Sequence, residues 1–362
     1  MIELVCNGKS ITGFSSISIT RALDQFCSTY ALNVFRGNET GGDFSAWLPT
    51  FPEDEIEIFH DGEKIVNGYN DECSPSFSES GTSFMVTGRE KSKDVVDCPP
   101  EQTLFENKKV DEITRAVCAE FGVNFISSSG VDVGAPLQKY CADPGRTGYE
   151  VILGACKQRR VLPVCDGLGN VRIENGKYKA ADVDLIQGVN ILSANGKFST
   201  KERYKSYRVM SSNDFAGKTF AEVIDDSGAR NRRWVLVDEK WSNKECCEDR
   251  AMWEAKHRNA VANALSVVVP GWRQNAGGKL WTPGTLINCH IPCILGNDRE
   301  YLINKVTFNF SESGSVAVLG IIDPAAYSPA PPFPEAKKKV KATKAKTDVW
   351  ASIRAQTGSK LK

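Results

Sequence analysis

The chain is poor in the residues that carry out chemistry. Its 362 residues include three histidines, His60, His257 and His290, far apart along the chain. Neither Gly-x-Ser-x-Gly nor Gly-x-Gly-x-x-Gly occurs, so the usual signatures of a serine hydrolase and of a dinucleotide site are missing. There are twelve cysteines but no Cys-x-x-Cys pair. Apolar runs stay well short of the roughly eighteen residues of a membrane span, and no membrane contact is expected. The start, Met-Ile-Glu-Leu-Val-Cys, has neither the basic nor the apolar region of a signal peptide, so synthesis in a reducing cytoplasm is expected. Net charge is also missing, with 45 basic against 45 acidic residues.

Two near-motifs fail on inspection. Cys289-His290-Ile291-Pro292-Cys293 supplies three potential metal ligands where a structural zinc needs four. On a strand, Cys289 and His290 would face opposite ways. Gly277-Gly278-Lys279-Leu280 has a phosphate-loop flavour, but Arg273 stands where the first Gly belongs and Leu280 where Ser or Thr would meet magnesium. Acidic pairs of glycosidase type are set in space and cannot be read from a linear chain. No catalytic, cofactor-binding or metal residue is assigned, and no cofactor is expected. Packed or exposed roles are expected for His60 and His257, and most cysteines are expected to act as small buried hydrophobes.

What is present is β-rich. Hydrophobic residues make up 41% of the chain, enough for real cores, and the length suits about two to four domains. Residues 1–95 alternate as an antiparallel meander. Leu4 and Cys6 share a face with Ile2 before an Asn7-Gly8 turn, Ile17 and Ile19 alternate with Ser, Ile56 and Ile58 alternate with Glu before Asp61-Gly62, and Phe84 and Val86 alternate with polar neighbours. Arg89, Lys91, Asp94 and Asp97 end this part as a dense charged cluster, for which salt bridging at a domain border is expected, with partner binding as the alternative. Residues 96–184 read as a small α+β domain. One helix carries Ile113, Ala116, Val117 and Phe121 and ends at Gly122. A second opens on a Thr147/Glu150 capping box, with Tyr149, Ile152, Leu153 and Cys156 as its stripe. A hairpin through 161–173 follows. Residues 185–325 return to strands, with one helix opened by a Ser242/Glu245 capping box and carrying Cys247, Ala251, Ala255, Ala262 and Leu265 on one face. The two β-rich parts are of similar size, as an internal duplication would make them, but residue identity between them does not show one.

Residues 326–362 form a Pro-rich, then Lys-rich tail. Within it, residues 335–362 hold eight Lys and one Arg against one Glu and one Asp, a net charge of about +7 that leaves about −7 on the rest. An acidic body with a basic tail does not resemble a nucleic-acid-binding domain. A short helix is expected from Thr347 to Gly358, with Val349, Trp350 and Ile353 on one face. Two readings of the tail stand side by side, a solvated extension and a docking arm for an acidic, grooved neighbour.

The segment 270–284, Pro-Gly-Trp-Arg-Gln-Asn-Ala-Gly-Gly-Lys-Leu-Trp-Thr-Pro-Gly, places Trp272 and Trp281 about a Gly277-Gly278 turn, with strands expected on both sides. It resembles a run near the C-terminus of the central baseplate hub proteins of Mu-like contractile-tail phages. Three further pieces occur in the order and spacing of that family: Asn7-Gly8-Lys9-Ser10-Ile11-Thr12-Gly13 leading to Ser16–Arg21, Asp61-Gly62-Glu63-Lys64-Ile65-Val66-Asn67-Gly68-Tyr69, and Thr87–Cys98. The likeness spans roughly residues 1–325. It implies a mainly β fold in which two tube-type, β-barrel-like domains flank the α+β domain. It also implies a homotrimer whose six β-rich units form a ring, joining a six-fold tail tube to a three-fold spike. Partners would be the spike and the tube or other baseplate proteins, with DNA at most passing through the channel without sequence-specific contact. The location would be the virion tail. Two readings from other classes remain open, a tail-associated cell-wall hydrolase and a β-rich binding protein unrelated to phage.

Overall fold

The computed structural model describes residues 2–11, 14–36, 50–79, 81–127, 130–159, 161–211, 219–225, 230–238, 244–295 and 298–328. The expected helix over 347–358, the lysine run, the Ser242 cap, Thr12 and Gly13 lie outside these residues.

Seven strands open the chain: β1 (Ile2–Cys6), β2 (Lys9–Ile11), β3 (Phe14–Ala22), β4 (Thr29–Arg36), β5 (Glu55–His60), β6 (Glu63–Ser78) and β7 (Gly81–Glu90). Two of their turns are the expected two-residue loops. Asn7-Gly8 and Asp61-Gly62 place both residues at positive φ, the geometry that matches strand twist in a tight hairpin. Alternation also sorts the side chains as expected, with Leu4, Cys6, Ile17, Ile19, Ile56, Ile58, Phe84 and Val86 all buried.

The middle of the chain holds β8 (Leu104–Lys108), β9 (Asn124–Phe125), β10 (Leu137–Cys141), β11 (Leu162–Cys165) and β12 (Asn170–Glu174), with helices Val110–Glu120 and Gly148–Arg159. The first helix ends at Gly122 with φ +65°. The second has its capping box: the Thr147 amide donates to Glu150 at 3.1 Å and the Glu150 amide to the Thr147 hydroxyl at 3.4 Å. Its buried face is wider than the expected stripe, because Val151 and Ala155 are also buried. Tyr149 packs on Phe26 from the β3–β4 turn, so the helix is covered from two sides.

The last part contains β13 (Lys179–Ala180), β14 (Leu185–Ile186), β15 (Ser193–Phe198), β16 (Ser206–Ser211), β17 (Phe220–Ile224), β18 (Arg233–Asp238), β19 (Asn263–Pro270), β20 (Thr285–His290), β21 (Arg299–Ser311) and β22 (Gly314–Ile322). The helix Lys244–Val261 stops short of Ala262 and Leu265, which were expected on it. Leu265 instead lies in β19, which pairs with both β15 and β22. Two ladders of backbone hydrogen bonds and the β-branched run Val267–Val269 outweigh a helical spacing of apolar residues.

The fold is mainly β, and its two β-rich parts share one sheet. Strand order runs β15-β19-β22-β21-β3-β4-β7-β6-β5-β1-β2, with β20 paired to β21, β13 and β14. The junction is the antiparallel pair β21–β3, from Lys305 opposite Ala22 to Phe310 opposite Ile17. One apolar core draws on both parts. The path does not close into a barrel among the described residues, yet it curls strongly. Seven strand spacings separate β19 from β5, about 34 Å if flat. Trp272, two residues past β19, nevertheless stacks on His60 at the end of β5 with ring centroids 4.8 Å apart.

A second core lies under the two middle helices. A small third one lies between the helix Lys244–Val261 and the three-stranded sheet β17-β16-β18, where Tyr207, Val209, Ala221, Cys247 and Ala251 are buried.

Candidate assembly surfaces

The Trp272–Trp281 segment crosses the gap left by the curled sheet. The expected strands beside Gly277-Gly278 reduce to a single bridge, Arg273 opposite Leu280. Both tryptophans turn inward rather than alternating, and they are only 1% and 2% exposed. Trp272 lies between His60 and Phe308, with centroids at 4.8 and 5.3 Å, and its Nε1 donates to the Asn309 carbonyl at 3.0 Å. Arg273 reaches the β5–β6 hairpin, pairing with Glu63 at 2.9 Å and donating to the Gly278 carbonyl at 2.9 Å. Gly277 has φ +73°, a conformation most side chains avoid. The segment is thus a clasp between two distant strands. Burial lowers the pKa of His60 and Arg273 acts in the same direction, against Asp61. At neutral pH His60 is therefore an uncharged partner for the indole.

The charged cluster is a set of ion pairs. Arg89 binds two carboxylates: Nε and Nη2 donate to Asp71 at 2.7 and 3.2 Å, and Nη1 and Nη2 to Asp97 at 2.9 and 2.6 Å. Lys91 pairs with Glu55, and Lys93 with Glu53 and Asp71. Asp97 lies in the short helix Lys93–Asp97 that leads out of β7. Arg89 therefore ties the meander to the start of the α+β part. Asp94 contributes its carbonyl, which accepts from the Cys98 amide at 2.9 Å.

The remaining residues singled out in the sequence sit in packing, stacking or ion-pair contacts or at the surface. Cys289 is buried in the main core, while His290 turns the other way to Asp298, at 2.7 Å. Cys293 is exposed beside Gln187. Strand alternation thus separates Cys289 from His290, as read from the sequence, while Cys293 follows in the short helix Pro292–Leu295. His257 stacks on Trp253 at 4.6 Å. Lys279 pairs with Asp182 at 2.9 Å.

Two surfaces went unnoticed in the sequence. The first is the pair of open strands that end the main sheet path. Among the described strands, β15 pairs only with β19 and β2 only with β1. Beside the β15 edge stand Val189, Leu192 and Phe198, at 76%, 60% and 58% exposure. The second is the face of β17-β16-β18 turned away from its helix. Phe220, Ile224, Val235 and Val237 are exposed there. A signal existed: Trp234-Val235-Leu236-Val237 is apolar on both faces, the mark of a strand covered twice.

Comparison with known proteins gives consistent matches. Residues 1–90 match the Mu phage baseplate assembly protein GpP-like N-terminal family, residues 92–175 the second domain of baseplate hub protein gp44-like chains, and residues 243–330 the fourth domain of Mu phage baseplate assembly protein GpP. The baseplate hub protein gp44 of Escherichia phage Mu is 24% identical over 321 residues, covering 84% of this chain and 83% of that protein. The crystal structure of the prophage MuSo2 43 kDa tail protein from Shewanella oneidensis is 30% identical with a TM-score of 0.81, covering 91% of this chain and 99% of that one. The tail protein from Neisseria meningitidis MC58 shares the fold at 15% identity and a TM-score of 0.74, covering 91% and 98%.

Proposed function

Given that this chain belongs to the baseplate hub proteins of Mu-like phages and prophages, structural parts of the tail rather than enzymes, we propose that three copies form a ring through the free edges of their curled sheets. The observation that carries this reading is the open sheet itself. An unpaired edge strand is a template for another strand, and proteins blunt such edges with charge or proline unless they are used. The β15 edge carries one charge, Lys197, and is flanked by exposed Val189, Leu192 and Phe198. Joining the β15 end of one copy to the β2 end of the next is a head-to-tail contact, which closes into a ring when the rotation allows. Each copy brings two β-rich parts, so a trimer offers six similar units to a six-fold tube on one side. On the other side its own three-fold axis suits a spike. The neighbours would be the spike and the tube or other baseplate proteins, and the chain would be made in the host cytoplasm before joining the tail.

Light scattering after gel filtration at micromolar concentration tests the ring. The expected mass is about three times the 39.7 kDa chain. The double variant Val189→Glu/Leu192→Glu should shift it toward monomer without lowering the monomer's melting temperature. A wild-type chain that stays monomeric across a wide dilution range would overturn the reading.

A further inference from the structure

The clasp, the start of β6 and the turn between β11 and β12 line an open cleft of about 720 Å³, a volume in the range of small-ligand sites. One wall is Arg21, which follows Ile17 and Ile19 on the inward side of β3. Its guanidinium carbon lies 5.9 Å from the Phe308 ring centroid. The β11–β12 turn comes so close that a Cβ on Gly167 would stand 2.5 Å from the guanidinium. Arg21 Nη2 donates to the Ile65 carbonyl. Its Nε is sealed from solvent and has no hydrogen-bond partner, and among the described residues it forms no ion pair with a carboxylate. Burial pushes its pKa down, against the through-space pull of Glu90, Asp166 and Glu63. The other charges around the cleft are engaged. Arg273 pairs with Glu63 and Lys279 with Asp182, each at 2.9 Å, and Lys64 pairs with Glu57. The Asp166 carboxylate accepts from the Leu168 and Asn170 amides at 2.8 and 3.1 Å and from Asn170 Nδ2 at 2.7 Å, so it shapes its own turn. Arg21 is the cation left over.

We propose that this cleft binds one small oxyanion, a phosphate or a carboxylate, against the Arg21 guanidinium. A charge taken out of water without a partner is costly, and the planar fork of an arginine matches the paired oxygens of either group. The clasp adds to the site. Gly277, Gly278 and Lys279, which fail as a phosphate loop, line the same cleft. The Lys279 side chain is 75% exposed, so its ammonium can turn to an anion without disturbing a core. Bound there, the anion would join segments far apart in the chain: β3, the β11–β12 turn of the α+β part, and the clasp. It would brace the joint where the meander, the insert and the last part of the chain meet. The gain in stability would come from neutralising Arg21, which no side chain of the fold does by direct pairing among the described residues.

This inference does not depend on the ring, so the two can fail separately. Melting of the full-length chain in sodium chloride, sodium phosphate or sodium citrate, at one pH and one ionic strength, tests it. An anion that binds the folded chain should raise the melting temperature over the chloride reference, by about 3–6 °C at ten times its dissociation constant. A shift with phosphate alone assigns the site to phosphate, and a shift with citrate alone assigns it to carboxylates. Titration calorimetry with the active anion then gives the affinity. Arg21→Gln should lower that affinity at least tenfold. Lys279→Glu, at an exposed position, keeps the test usable if Arg21→Gln folds poorly, and it should weaken binding at least threefold. No shift with either anion would overturn the proposal. So would an affinity that survives both substitutions, which would mean an adventitious ion only, held by lysines elsewhere on the surface.

Discussion

Replacing Trp272 by alanine should remove the clasp that holds the curled sheet together. The indole is 1% exposed and is enclosed by His60 and Phe308. Truncating so large a buried ring costs roughly 3–5 kcal/mol in lost burial and cavity. The Asn309 carbonyl also loses its Nε1 donor, and a buried acceptor left unpaired costs about 1–3 kcal/mol unless water replaces the donor. At about 2–4 °C per kcal/mol for large domains, even the lower burial figure lowers the melting temperature by about 6–12 °C. The loss should also be local. Arg273 follows Trp272 directly, so its pairing with Glu63 should loosen, and hydrogen exchange should rise at 60–63 and 273–280 before the rest of the sheet. Trp272→Phe, which keeps most of the apolar area and drops only the donor, should cost much less. Differential scanning fluorimetry with exchange mass spectrometry measures both effects. An alanine variant with wild-type melting and exchange would show that the segment does not bridge β19 and β5, and the argument for a clasp would fall.

Three further outcomes are expected. Arg89→Ala should weaken the tie between meander and insert and flatten the acid limb of the stability curve. The Asp97 pKa is held below its ordinary value chiefly by Arg89, and that of Asp71 is lowered by Arg89 and Lys93 against the opposing effect of burial. Carboxylates depressed in the folded state stabilise it above their unfolded pKa, about 4, and that stability is lost as pH falls through the folded values; melting measured from pH 7 to 2.5 reads this directly. Gly88→Ala should destabilise by about 2 kcal/mol or more, because its Cβ would run into the Tyr30 hydroxyl and the Tyr69 carbonyl; solubility and melting temperature report it, and a neutral result would mean the strands can part at no cost. Protein purified without chelator should contain well under one zinc per chain by elemental analysis, since Cys289, His290 and Cys293 point to three different surroundings; stoichiometric zinc that resists dialysis would contradict this.

Local order was legible in the amino acids because it depends on neighbours in sequence. Positive-φ turns need Asn-Gly or Asp-Gly, as at 7–8 and 61–62. Alternation sorted Ile56 and Ile58 from their glutamates, and the Thr147/Glu150 box started its helix where those two side chains can reciprocate. Alternation also read Cys289 and His290 to opposite faces of β20. Family membership was legible as well, carried by four short segments in order. Tertiary structure decided what depends on pairing across long separations. No local pattern reveals that β21 pairs with β3, nearly three hundred residues earlier, or that this merges two β-rich parts into one sheet. Ala262 and Leu265 have helical spacing, yet β15 and β22 claim the chain from Asn263 onward. The tryptophans around Gly277-Gly278 looked like hairpin flanks, and only the curl of the sheet, which brings β5 to β19, turns both inward as a clasp. Which edges and faces stay open is likewise a property of the assembled sheet. Strand chemistry is the same at the centre and at the rim, and position alone leaves the β15 edge and the β17-β16-β18 face uncovered among the described residues.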